Sequence, residues 1–371
     1  MFRASFVSSM TSACRVNKTN AGVALIALTA LLTAALAAQA RPPRKAPQLR
    51  PPQGAAHLTS IDVILPARLV AGAPATLATL GADHRLVAHV PVELENGTVV
   101  ETDATGRANF TAPSGTVLIA KAGGGAAATL IEAASSTAAQ RDMSAPRFAA
   151  LHSPMNLCGG GFDGNAEANH ITIDGEPALV LAASPECLVV IPDSKAEPGP
   201  AAIAADSATP PRQASVSLVA LDFKPPDPPL TPGEKGWIAV HARGSDQGLR
   251  IIVQNESPDV LRFVKGDVQE LATSGGRQNV SRIQVQAVRS GDFSLSARIV
   301  PALNAEDARR FLQAGEPLAP PDVAHRLKKM ERDLTHHSKN TAKVRAELDG
   351  ILDAVSPGDL HTLLKAARSS L

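Results

Sequence analysis

From Leu58 onward the hydrophobic positions of the chain fall in short runs with a period of two. Val90, Val92 and Leu94 alternate with Pro91, Glu93 and Glu95, as in a half-buried strand whose successive side chains point to opposite faces. Asn96-Gly97 follows, a pair that supplies the positive φ values of a tight hairpin turn. Further along, Ile171 and Ile173 alternate with Thr172 and Asp174, and Gly175 turns the chain into the run Ala178–Leu181. The same reading predicts strands at Trp237–Ala242, Leu249–Gln254, Val260–Val264, Val280–Ala287 and Phe293–Ile299. Gly72, Gly81-Ala82-Asp83, Thr105-Gly106, Ser257–Val260 and Ser274–Gly276 supply turns between such runs.

After Leu303 the period lengthens. Ala308, Phe311 and Leu312 share one side of Ala305–Glu316. Pro317 and Pro320-Pro321 break the chain, and a long helix is expected over Asp322–Val355, about 50 Å at about 1.5 Å per residue. Along it Leu327, Met330, Leu334, His337, Thr341, Val344, Leu348, Ile351 and Val355 fall at alternating three- and four-residue steps, a heptad seam interrupted at His337 and Thr341. Two arrangements satisfy that seam. It self-associates with a second chain, or the segment carrying Leu360, Leu363 and Leu364 covers it within one chain.

The N-terminus reads as an address. Arg3, Arg15 and Lys18 precede the apolar run Ala21–Ala38, which ends in the small-x-small pattern Ala38-Gln39-Ala40. A signal peptide over 1–40 is therefore expected, with Met10 as an alternative start. The rival is a membrane anchor, since about 18 apolar residues just span a bilayer. Cys14 precedes the apolar run, so it is no acylation site. Residues 41–57 form a proline-rich basic linker. The remaining boundaries are sandwiches at 58–137, 145–220 and 221–302 and a helical tail at 303–371, with Pro225–Pro229 as a stiff joint into the third sandwich. The expected fold class is mainly β, tandem immunoglobulin-like β-sandwiches with a C-terminal α-helical tail.

Composition narrows the function classes. A formal net charge of +1 gives no general attraction to nucleic acid or anionic membrane. One Trp, no Tyr and nine Phe leave few aromatic faces for stacking sugars or single-stranded bases. Without residues 1–40 two cysteines remain, Cys158 and Cys187, and an even count in an exported chain fits one disulfide or two buried thiols. His336 and His337, adjacent on a helix, point about 100° apart and make no metal site alone. Asp163, Asp174, Asn165 and Asn169 are oxygen donors for calcium in principle, but they are also the ordinary residues of β-turns. The basic run Arg326–Arg332 reads as a solvated helix face. No Gly-x-Ser-x-Gly or other nucleophile–base pattern is readable, so no catalytic residue, metal or cofactor is assigned.

Leu69-Val70-Ala71-Gly72, Val90–Leu94 and Thr102–Ala108 ("TDATGRA") in that order resemble bacterial immunoglobulin-like domains of invasin and intimin type. They also resemble prealbumin-like domains, in which the last motif marks the penultimate hairpin. Gly161-Phe162, Ile171–Ile173, Gly175, Val180 and Pro198-Gly199-Pro200 resemble the IPT/TIG domain, in which the Gly-Phe pair closes the first strand. A phosphate loop needs a helix immediately after its glycines. In Gly159–Gly164, "GGGFDG", a strand follows instead, so the segment reads as a turn with Phe162 in the core. With the export signal, the resemblances imply a non-catalytic structural or adhesive protein at the cell envelope or surface with a protein partner, and the charge and aromatic content leave nucleic acid out. The alternative is an accessory binding subunit of an exported enzyme or of a secretion or transport complex. Cys158 and Cys187 are expected to pair within the second sandwich.

Overall fold

The computed structural model describes residues 61–81, 85–134, 141–206, 212–277, 279–300, 304–336 and 341–371. The expected signal peptide, Met10, Cys14, the basic linker, Asp83 and His337 lie outside the described residues.

The first unit contains β1 (Asp62–Ile64), β2 (Arg68–Val70), β3 (Pro74–Leu80), β4 (Pro91–Leu94), β5 (Val99–Glu101), β6 (Arg107–Thr111), β7 (Val117–Ala122) and β8 (Gly125–Glu132). One layer is β1-β3-β6; the other runs β2-β8-β7-β4-β5. Leu69, Leu77, Val92, Leu118 and Ile131 meet between them. Asn96-Gly97 turns β4 into β5, with Gly97 at φ 78°. The Thr102–Gly106 segment is not the hairpin implied by the prealbumin-like resemblance. It carries the chain from β5 in one layer to β6 in the other, and buried Thr102 anchors the crossing by accepting from Val90 N–H at 2.9 Å.

The second unit contains β9 (Phe148–Ala150), β10 (Met155–Cys158), β11 (Ile171–Ile173), β12 (Glu176–Pro177), β13 (Leu179–Ala183), β14 (Cys187–Ile191) and β15 (Gly199–Ala205). Asp174 and Gly175, both at positive φ, form the two-residue turn between β11 and β12. Phe162 is 6 % exposed and packs in this core with Leu157, Leu188 and Ile203. The unit is joined edge to edge with the first: β13 pairs β3 at Ala183 and Thr76, and Ala78, Leu80, Leu181, Ala182 and Val189 form a small apolar cluster there.

The joint between the second and third units is a strand. β16 (Arg212–Lys224) pairs β15 over its first half and β17 (Lys235–Arg243) over its second. Its apolar phase flips midway. Val216 and Leu218 enter the second core, while Val219, Leu221 and Phe223 enter the third. The 220/221 boundary therefore falls inside one continuous strand, and Pro225–Pro229, expected as a joint between units, is a loop within the third. That unit continues with β18 (Arg250–Asn255), β19 (Leu261–Phe263), β20 (Val268–Ala272), β21 (Val280–Ala287) and β22 (Leu295–Ile299). Layers β16-β17-β21-β19 and β20-β18-β22 face each other across Ile238, Ile251, Phe263 and Ile283, the layer arrangement of an immunoglobulin-like sandwich.

The tail contains α1 (Ala305–Gly315), α2 (Pro321–His336), α3 (Thr341–Leu352) and α4 (Asp359–Ser369). The expected single 50 Å helix is corrected. In one straight helix Arg326 and Glu347 would stand about 31 Å apart at about 1.5 Å per residue, yet they pair at 3.3 Å, and Lys343 pairs Asp333 at 3.6 Å. The chain folds back, and the seam residues Leu327, Met330, Leu334, Val344, Leu348 and Ile351 are buried against Phe311, Leu363 and Leu364. Ile119 and Leu130 of the first unit belong to the same cluster, so the apolar seam is covered within the chain and is not left for self-association. No helix among the described residues is long and apolar enough to cross a membrane.

Candidate functional site

The strongest exposed feature is Trp237, the chain's single tryptophan, 53 % exposed at the start of β17. Strand alternation puts Ile238 and Val240 into the core, so Trp237 stands on the opposite, outer face. Beside it the β16–β17 loop forms a cleft of about 490 Å³ lined by Pro226, Asp227, Pro228, Pro229, Leu230 and Glu234 through Trp237. The loop is held from several sides. Gly236 lies under Leu230, whose Cδ2 would come within 2.8 Å of any added Cβ. Glu234 accepts from Thr231 N–H at 2.8 Å, which holds its carboxyl below the ordinary range. Gly233 N–H donates to Ala287 O at 2.8 Å, and Gln286 Nε2 to Gly233 O at 3.1 Å. The arrangement is an aromatic face beside proline rings, with two carboxylates, Asp227 and Glu234, on the loop and Lys235 two residues before Trp237. The depression is open and part polar, and it contains no acid–base pair aligned for chemistry.

Sequence reasoning placed Trp237 on a strand and gave it no role. The signal was there: Trp237 shares its phase with Ala239 and His241, opposite to Ile238, Val240 and Ala242, directly after a proline-rich loop.

The residues singled out from the sequence stand elsewhere. Cys158 and Cys187 are directly opposed on β10 and β14 and bonded, with Cα atoms 4.2 Å apart. Asp163 and Asn165 fold their own loop: Asp163 Oδ1 accepts from Asn165 N–H at 2.7 Å, and Asn165 Oδ1 from Glu167 N–H at 3.1 Å. Asn169 Nδ2 donates to the carbonyls of Asp163 and Asn165, each at 2.8 Å. Asp174, well separated from them in its hairpin, accepts from Ala202 N–H at 2.7 Å. One side-chain oxygen of each of these four residues accepts a backbone N–H, and among the described residues no group of acids, histidines and cysteines gathers as metal ligands. The Gly159–Gly164 loop is followed by a single 3-10 turn, Ala166–Ala168, and packs on the first unit. Thr76 Oγ1 lies 2.7 Å from Gly164 O, and a Cβ at Gly164 would lie 2.1 Å from Pro74 O. Within the basic run, Arg326 pairs Glu347 and Lys328 pairs Glu316 at 2.7 Å.

A charged cluster missed by sequence reasoning joins the tail to the first unit. Arg68 contacts Glu132 at 3.1 Å and Asp307 at 2.8 Å, and Arg310 also pairs Glu132. Burial, then the neighbouring Glu132 among opposing arginine charges, leaves the Asp307 carboxyl above its ordinary value. Lys121 pairs Asp359 at 2.5 Å, a bond that raises the lysine's pKa.

No family model matches the chain, and no curated protein matches it. Among solved structures, the I9–I11 tandem of titin aligns at 8 % identity, over 65 % of this chain and 95 % of that one, with a TM-score of 0.18. A Bacteroides ovatus mixed-linkage glucan utilization protein, SGBP-B, solved with a mixed-linkage heptasaccharide, aligns at 12 % identity over 68 % and 75 % with a TM-score of 0.21. Fibronectin(III)-like modules of Clostridium thermocellum CbhA align at 15 % over 43 % and 95 % with a TM-score of 0.16. Scores this low carry no functional meaning for this chain.

Proposed function

We propose that the chain is an exported, non-catalytic structural and adhesive protein of the bacterial envelope or surface, which holds the Trp237 face at a fixed spacing for a protein partner. The observation that carries this reading is β16, one strand built into two sandwiches, which leaves no flexible linker between them. A fixed spacing is what a presenting module needs, and a large aromatic beside a shaped cleft is the usual anchor of a binding face. The finer resemblance to invasin-type and IPT/TIG domains rests on the residue patterns at 69–108 and 161–200, and the Cys158–Cys187 bond suits an oxidising compartment. Retention of the purified mature protein on immobilised envelope material tests the reading. Wild-type protein is expected to be retained, and Trp237→Ala to weaken retention about tenfold or more, as for an aromatic anchor, with an unchanged melting temperature. Absence of retention by the wild type removes the adhesive reading. Equal retention by the variant places the binding face elsewhere.

A further inference from the structure

The outer face of β20-β18-β22 turns toward the tail and gathers four arginines. Ile252 in β18 is directly opposite Glu270 of β20 on one side and Arg298 of β22 on the other, and Arg250 shares that face two residues earlier. From the tail, Arg345 of α3 and Arg368 of α4 reach the same place. Glu270 accepts from Arg250 at 2.6 Å, from Arg345 Nη1 at 2.9 and 3.0 Å, and from Arg368 Nη2 at 3.4 Å. Asp349 takes Arg368 Nε at 2.8 Å. Four guanidinium groups thus share two carboxylates.

The excess is localised. Arg345 is only 8 % exposed, yet its Nη2 is buried with no hydrogen-bond partner among the described residues. An unsatisfied buried charged donor is costly, and native structures keep few of them. The Arg298 guanidinium has neither an ion pair nor a hydrogen bond among the described residues; the charge acting on it is another cation, Arg368. Arg298 is exposed to solvent and stands near the like charge of Arg368.

We propose that this seam is a binding site for one phosphate or sulfate group, held by Arg298, Arg368 and the free Nη2 of Arg345. A guanidinium carries five N–H donors in a planar fork matched to such oxyanions. Arg298 brings all five unused and Arg345 the pair on Nη2, more than the two oxygens of a carboxylate can satisfy and well suited to a tetrahedral anion. Because Arg298 belongs to the third sandwich and the other two to the tail, a bound group would tie tail and sandwich together. This site is independent of the Trp237 face.

Titration calorimetry of the mature protein with inorganic phosphate, and separately inorganic sulfate, tests the proposal, ionic strength being held constant with chloride. One saturable site per chain is expected for at least one of the anions, accompanied by slower hydrogen exchange in α3 and α4. Arg298→Gln removes no partnered bond, so it should keep the wild-type melting temperature in chloride while weakening anion binding about tenfold or more. Arg289→Gln, which breaks an exposed pair with Asp259 elsewhere on the third unit, should bind as wild type does. Dilution heat alone with both anions overturns the proposal, as does wild-type affinity in Arg298→Gln.

Discussion

Two junctions in this molecule are built on different physics. Between the second and third sandwiches the joint is backbone: β16 runs through both, its neighbours Leu218 and Val219 pointing into different cores. Between the tail and the first sandwich the joint is side chains: Ile119 and Leu130 against the helices, ringed by Arg68, Glu132, Asp307, Arg310, Lys121 and Asp359. β16 is continuous, its first half paired in the second sandwich and its second half in the third, so losing either set of bonds frees the strand end on which the other sandwich is built. A side-chain joint can separate while both partners stay folded, because each keeps its own backbone bonds. The first junction should therefore melt as one cooperative unit, and the second should open locally.

The largest expected effect comes from attacking the strand. Leu218→Asp places a carboxylate at a position 1 % exposed, which should cost roughly 4–5 kcal/mol or more. Although Leu218 lies in the second core, the fluorescence of Trp237 in the third unit should report the loss in the same transition. A separate, unshifted Trp237 transition would break the contrast between the junctions. Next in size is reduction of the Cys158–Cys187 bond. Releasing a loop with a sequence separation of 29 removes about 3–4 kcal/mol on the chain-entropy estimate. Calorimetry with and without reductant should show the coupled sandwich transition moving down while exchange protection in α1 holds. Smaller again is Arg310→Ala, which leaves the partly buried Glu132 with one arginine fewer. It should weaken tail docking by about 1–3 kcal/mol, read as faster hydrogen exchange in α1 and α4 and unchanged exchange in β16. Added salt should weaken the wild-type tail in the same direction.

Those differences mark what the sequence could and could not disclose. Val280–Ala287 was legible to the residue, because a strand with one buried face writes its alternation into the chain. β16 was not, because its alternation changes phase between Leu218 and Val219, and a phase change with no turn residue reads as a boundary. β20 escaped for a related reason: Val268–Ala272 alternates only between exposed and half-buried positions, and its inward pair is Gln269 and Leu271, which leaves a single apolar residue to mark the inner face. The heptad seam marked Leu327, Met330, Leu334, Val344, Leu348 and Ile351, which are buried, but a period says nothing about what covers the seam. Here a reversal of the chain and the Leu363-Leu364 helix cover it. Trp237 was placed on its strand, and its outward phase was readable, but the cleft beside it depends on how the proline loop folds back. The arginine seam joins positions from 250 to 368, and no local pattern carries it.

The smallest effect probes where three parts meet. Glu186, with its side chain 1 % exposed, pairs Arg141 at 2.6 Å and feels the charges of Glu132 and Arg68 at the tail joint; its Oε2 has no partner. Burial, outweighing the attraction of Arg141, raises its pKa above 4.5. Asp307 in the tail is raised above 3.8 for the same first reason. The sign follows from proton linkage. A carboxyl whose folded pKa is raised binds protons more tightly in the native state, so stability falls as pH rises through the window above the unfolded value. Lowering the pH from 7 toward the ordinary values of 4.5 and 3.8 should therefore steady the side-chain joint through these two groups. Glu186→Gln should flatten part of that pH dependence and leave the protein at least as stable at pH 7, with exchange in α1 followed at both pH values. A wild-type tail that loosens on mild acidification, or a Glu186→Gln variant with the full wild-type pH response, would remove Glu186 from the joint.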